Sequence, residues 1–172
     1  ILSSDGLGFR HPEVGSRSDT DPLHGSARVA IEHNAPSTRR LEKIRAIAPH
    51  SLVQRYLRVC WRNEGDALNC GRCEKCVRTM LAIDACGLLE KFPGFDRGRG
   101  LVAAIDGLPA VDAVVASFYT DLLASGLGAS TTGAVRRLLA RTESRRGAGG
   151  CQRRVSGARR EADLVHAGGV KP

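Results

Sequence analysis

Four cysteines fall within seventeen residues, Cys60, Cys70, Cys73 and Cys76, in the order C-x9-C-x2-C-x2-C. Thiolates separated by two residues converge from one tight turn, and a fourth brought in from a nearby segment completes a tetrahedron. That is the donor set of a closed structural zinc site, with Zn–S distances of about 2.3 Å. The two C-x2-C units share Cys73, so a two-cysteine thioredoxin-type motif describes them poorly. Disulfides are an alternative, but one found mainly in secreted scaffolds. An iron–sulfur cluster is the closer rival, because C-x2-C-x2-C occurs in ferredoxins. The ferredoxin run continues x3-C-P, where this chain has Met80 and Leu81. The spacing favours a metal, and zinc over iron–sulfur. Four protein ligands leave no position for water, so such a zinc is structural rather than catalytic.

At 172 residues the chain can enclose one sizeable core. It opens at Ile1 without a charged and then apolar leader, and no apolar run is long enough to cross a membrane, which predicts a cytoplasmic fragment without membrane association. Cys86 and Cys151 lack close partners in sequence, consistent with reduced thiols. The net charge of +8 is concentrated late: residues 134–172 hold ten basic and three acidic side chains, or +7 of it. That stretch is rich in Gly, Ala and Arg, has no aromatic residue, and is poor in apolar residues after Leu139. Such a composition buries too little surface to offset ordering entropy, so disorder is predicted beyond about residue 142. A basic arm can bind phosphate backbones by counterion release, but without a ring it offers bases nothing to stack on.

Three stretches emerge along the chain. Residues 1–36 form a loop-rich segment, with a short strand predicted over Arg28–His33 and the polar run Gly15 to Leu23. Residues 37–126 read as a helical domain around the cysteines. Leu41, Ile44 and Ile47 recur at helical spacing between a Ser37 cap and Pro49, and Ser51 opens a second short helix. After the cysteines, Val77, Met80, Leu81 and Ala85 predict an amphipathic helix ending at Gly87, followed by a turn that packs Phe92 and Phe95 on the core. A last helix is predicted from Pro109 to Ser125 with Gly126 as its stop, and residues 127–172 form the basic tail. The fold class is therefore mainly α with one or two short strands.

Cys60, the Cys70-Gly71-Arg72-Cys73-Glu74-Lys75-Cys76 knuckle and Arg78 resemble the C-terminal zinc site of the 7-cyano-7-deazaguanine synthase family, within the PP-loop (N-type) ATP pyrophosphatases. The gap after the first cysteine is one residue longer here. The chain is more similar still to bacterial relatives of that fold, through Gly15-Ser16, Asp21-Pro22-Leu23, Arg40 with Lys43, and Leu57 through Cys76. The resemblance covers roughly residues 10 to 95. It implies the C-terminal portion of an α/β, adenine-nucleotide α-hydrolase-like (HUP) fold. Its full-length relatives would be ATP-dependent ligases or synthases acting on a small amide or nucleobase-like substrate. The Ser-Gly-Gly-x-Asp-Ser loop that holds ATP in this family does not occur in the sequence, so no catalytic residue is assigned and ATP belongs only to an intact relative.

Cys60, Cys70, Cys73 and Cys76 are thus the expected ligands of a structural Zn²⁺. Arg72, Lys75 and Arg78 are expected to face the sulfurs or solvent. Ser16, Asp19 and Asp21 are weaker candidates to face a substrate or Mg²⁺, against the plainer reading of turn hydrogen bonds. The five histidines are scattered without a ligand pair. Three functions follow, in order: a zinc-stabilised C-terminal part of a PP-loop protein; a zinc-knuckle nucleic-acid-binding module with a basic tail; and a subunit-interface domain in a homo-oligomer.

Overall fold

Eight consecutive residues, Cys76 to Ile83, are buried in the computed structural model. They make helix α3 (Glu74–Asp84) a strut enclosed along its middle, with Arg78 and Thr79 buried beside the predicted apolar stripe. The structure describes residues 2–3, 19–34, 37–62 and 66–164, including the side chains of 19–33, 37–62 and 66–147.

Four helices surround or extend from that strut. Helix α1 (Arg40–Ile47) lies on α3 through Leu41 and Ile44. Its start is held by the Glu42 carboxylate, which accepts the Arg39 amide at 2.9 Å, two residues beyond the predicted Ser37 cap. Pro49 closes it, and α2 (Ser51–Tyr56) follows with Gln54 Nε2 donating to the Ala48 carbonyl at 3.0 Å. Helix α4 (Leu101–Asp106) packs on α3, and α5 (Ala113–Leu123) does so next to it. Asp112 caps α5 by accepting the Val115 amide at 2.7 Å, so this helix is shorter than the Pro109–Ser125 predicted.

Helix α6 (Ala129–Leu164) begins inside the stretch read as a basic tail. Thr131, Ala134, Val135, Leu138 and Thr142 recur every three or four residues and are all buried, against α4 and α5. Charge also serves this packing. The Arg141 guanidinium donates to the carbonyls of Ile105, Asp106 and Leu108 at 3.5, 3.4 and 3.3 Å, capping the C-terminal end of α4, while Arg137 forks onto Asp106 at 3.0 and 2.7 Å. An arginine-rich composition hides this stripe because its apolar members are small and few.

Strand structure is almost absent among the described residues. β1 (Leu2–Ser3) pairs in parallel with β2 (His33–Asn34), Leu2 opposite His33. The strand predicted over 28–33 is replaced by a Ser26–Val29 bridge before β2, and Val29 is exposed. Alternation alone does not hold a strand where no sheet face covers it. No described helix is long and apolar enough to cross a membrane.

Candidate metal centre

The cysteine segment is shaped by one asparagine and one glycine. Asn69 is fully buried, and its backbone forms a parallel bridge with Phe95: its amide donates to the Gly94 carbonyl and its carbonyl accepts the Asp96 amide, each at 2.9 Å. Its side chain then reaches across to the incoming arm. Oδ1 accepts the amides of Val59 and Cys60 at 2.8 and 3.1 Å, and Nδ2 donates to the carbonyls of Leu57 and Gly94 at 2.8 and 3.3 Å. Cys60 is thereby fixed beside Cys70 although they lie ten positions apart. Two residues on, Gly71 turns the chain with φ of 64°, and a Cβ there would sit 1.6 Å from the Asp96 carbonyl oxygen. Only glycine fits this approach. Cys73 then takes the N-cap position of α3 with Cys76 in its first turn.

These constraints bring the four expected ligands together. The Sγ atoms of Cys60, Cys70, Cys73 and Cys76 all lie within 4.8 Å of one another, and all four residues are buried. Cys70 and Cys76 have their sulfurs 4.0 Å apart. A tetrahedron with metal–sulfur bonds of about 2.3 Å has edges of about 3.8 Å, so a small contraction closes the cluster on one ion. None of the four is in a disulfide. The Cys73 amide faces Cys70 Sγ at 3.4 Å, the type of backbone donor that steadies a bound thiolate.

Burial pushes the Cys73 and Cys76 thiols up, with Cys70 adding to both and Cys73 adding at Cys76, while hydrogen bonds from the Cys76 amide and thiol to Cys73 and from the Gly71 amide to Cys76 pull the other way. Thiols raised in this way, as at Cys73 and Cys76, are poor nucleophiles and poor redox catalysts. A bound cation relieves the same arrangement, since it compensates the charge that burial disfavours. The positive N-terminal end of α3 acts in the same direction.

Arg78 and Lys75 of the knuckle have neighbours of their own away from the sulfurs. Arg78 is buried, 3.2 Å from the Glu74 carboxylate, with its guanidinium 4.4 Å from the Phe118 ring centroid. Burial pushes the Glu74 carboxyl up, against the pull of Arg78 and Arg40, and the buried Tyr119 phenol beside it is raised mainly by desolvation. This polar cluster locks α3 to α5. Lys75 lies with its ammonium 5.9 Å from the Trp61 ring centroid, and Arg72 is exposed. Cys86 Sγ points to the Ala82 carbonyl at 3.2 Å, outside the cluster.

The weaker candidates are not gathered at the cysteines. Ser16 lies outside the described residues. Asp21 begins a short 3₁₀ turn (Asp21–His24) and lies buried with its Oδ2 2.7 Å from His33 Nε2. Asp19 lies two residues before that turn. Sequence reasoning missed Asn69, whose only signal was an amide residue directly before the knuckle. No family model, curated protein or solved structure matches the chain.

Proposed function

We propose that Cys60, Cys70, Cys73 and Cys76 hold a structural Zn²⁺ that joins three pieces of chain: the Cys60 arm, the knuckle and the Asn69–Phe95 turn. The observation that carries this is the buried cluster of four sulfurs within 4.8 Å. The separation also bears on the choice of metal. A four-iron cluster sets a cube of iron and sulfide between its ligands and holds them farther apart than a single ion does, whereas this spacing suits one tetrahedral centre. With no open coordination position, the ion shapes the domain and takes no part in a reaction.

The domain's role is then that of a scaffold. Through its resemblance to PP-loop ATP pyrophosphatases, it is the C-terminal portion of an α/β protein of that type, carrying the zinc centre and lacking the loop that binds ATP. The small-molecule reaction belongs to the intact relative, and this chain alone is not a catalyst. Reading the coding DNA immediately upstream tests this directly. An in-frame Ser-Gly-Gly-x-Asp-Ser loop supports it, and an unrelated frame contradicts it.

A basic-arm module is the weaker account. Arg137 and Arg141, the tail residues that the arm would use first, are engaged with α4.

A further inference from the structure

We propose that the cavity between the cysteine knuckle, the C-terminal half of α3 and the start of α6 binds a small zwitterion with an apolar middle. Its ammonium meets Asp84 and its carboxylate meets Arg99. The cavity measures about 520 Å³, within the size range of small-molecule sites. Met80, Leu89, Leu101 and Ala104 give it an apolar lining, while Cys70 and Gly71 bring in the edge of the knuckle. The segments that border it all lie within residues 66–147, whose side chains are described.

Most of the charged groups on its walls are already engaged. Glu90 and Arg97 pair at 2.6 Å, and the Asp96 carboxylate accepts the Gly98 amide at 3.0 Å. Arg72 is engaged as well. Two groups remain. Asp84 is half-buried, and among the described residues nothing donates a hydrogen bond to it. Burial and the nearby Glu90 carboxylate hold its carboxyl above the ordinary range, and no cation draws it down. Arg99 lies on the exposed loop before α4 and has no partner among the described residues. A carboxylate drawn partly out of water without a donor is stabilised by an incoming cation.

The two groups do not serve each other. They form no ion pair, and Asp84 shows none of the pull that a guanidinium within about 4–6 Å would exert. They therefore stand apart around a cavity that both border. This separation selects the ligand class. An α-amino acid carries its two charges on neighbouring carbons and can answer one of the groups only. A divalent cation would answer Asp84 and leave Arg99 and the apolar lining unmatched. A phosphate would meet Asp84 and Glu90 as like charges. A molecule with an ammonium and a carboxylate at opposite ends of an apolar chain, such as an ω-amino acid, answers both groups and covers Met80, Leu89 and Leu101. The site does not depend on the PP-loop resemblance.

The metal-loaded full chain is titrated calorimetrically with ε-aminocaproate, and in parallel with glycine, caproate and hexylamine. Saturable binding of ε-aminocaproate is expected, tighter than each of the other three by about tenfold or more, because each of them forfeits a charge-assisted contact. Asp84→Asn should lower its affinity to that of caproate, and Arg99→Gln to that of hexylamine, in variants that keep their metal and melting temperature. Heat that does not differ from dilution throughout the titration overturns the proposal. Equal binding of glycine, caproate or hexylamine overturns it too, as does unchanged affinity in either folded variant. The comparison of the four ligands uses the unaltered chain, so it decides the matter even where a variant fails to fold.

Discussion

Replacing Asn69 by alanine removes the clasp between the Cys60 arm and the knuckle, and the cost can be worked from its bonds. The side chain serves two amide donors, Val59 and Cys60, and two carbonyls, Leu57 and Gly94. The Gly94 carbonyl keeps the Asn69 backbone amide, and Leu57, being half-buried, can find water. The two amides lose their acceptor, and the Cys60 amide lies at a buried position. An orphaned buried donor costs about 1–3 kcal/mol. One full penalty at Cys60 and a smaller one at Val59 give about 3 kcal/mol. Against the ~5–15 kcal/mol of an ordinary domain this is a large fraction. Urea unfolding of the metal-loaded protein, followed by far-ultraviolet circular dichroism, should show the midpoint falling with little change in slope. Release of metal to a colorimetric chelator should speed up in parallel, because the same bonds place Cys60. Asn69→Asp keeps the acceptor oxygens, loses both donated bonds and buries a charge, so it should be no better than alanine. A loss in Asn69→Ala below about 0.5 kcal/mol, with metal release unchanged, would refute the reasoning.

Serine at Cys60, Cys70, Cys73 or Cys76 should each abolish tight metal binding, measured by elemental analysis after dialysis, whereas Cys86→Ser should retain it. Gly71→Ala drives a Cβ into the Asp96 carbonyl and should cost at least ~3 kcal/mol in thermal or urea unfolding, while Gly126→Ala, at φ of 90° with open space around it, should cost only the left-handed penalty of about 1–2 kcal/mol. The Arg137 guanidinium holds the exposed Asp106 carboxyl below its ordinary range. Its contribution is therefore complete above that range and lost as pH falls through the lowered value, so Arg137→Gln should flatten the acid limb of a stability–pH curve and leave the remainder unchanged in shape. A chain ending at residue 147 retains Thr131, Ala134, Val135, Leu138 and Thr142, the α6 side chains described as buried, and should keep its melting transition, while one ending at 128 uncovers α4 and α5 and should lose it.

The metal cluster was legible because ligand spacing is a local property. Overlapping C-x2-C units bring three sulfurs to one turn, and no tertiary packing is needed to see it. The helices between Pro49 and Gly87 were legible for a similar reason, since proline and glycine punctuate them. The character of α3 was not: a stripe of Val77, Met80 and Leu81 looks one-sided until α1, α4 and α5 cover the remaining faces, burying even Arg78 and Thr79. Helix α4 is a six-residue element whose stability comes from α3, α6 and the Arg141 cap, all distant in sequence. The stripe on α6 was present in the residues, but its weight was outvoted by arginine and glycine composition. Asn69 was unreadable as a clasp because its partners span Leu57 to Gly94, a set that only the folded backbone assembles.

The most direct test is the metal content and sulfur coordination of the purified chain, by elemental analysis with visible and X-ray absorption spectroscopy. The prediction is one zinc per chain, no visible colour, and four sulfur neighbours at about 2.3 Å, all lost together with helicity in Cys73→Ser. A brown protein carrying iron and sulfide, or a folded chain that takes up no metal, would contradict the assignment of the four cysteines to a structural zinc.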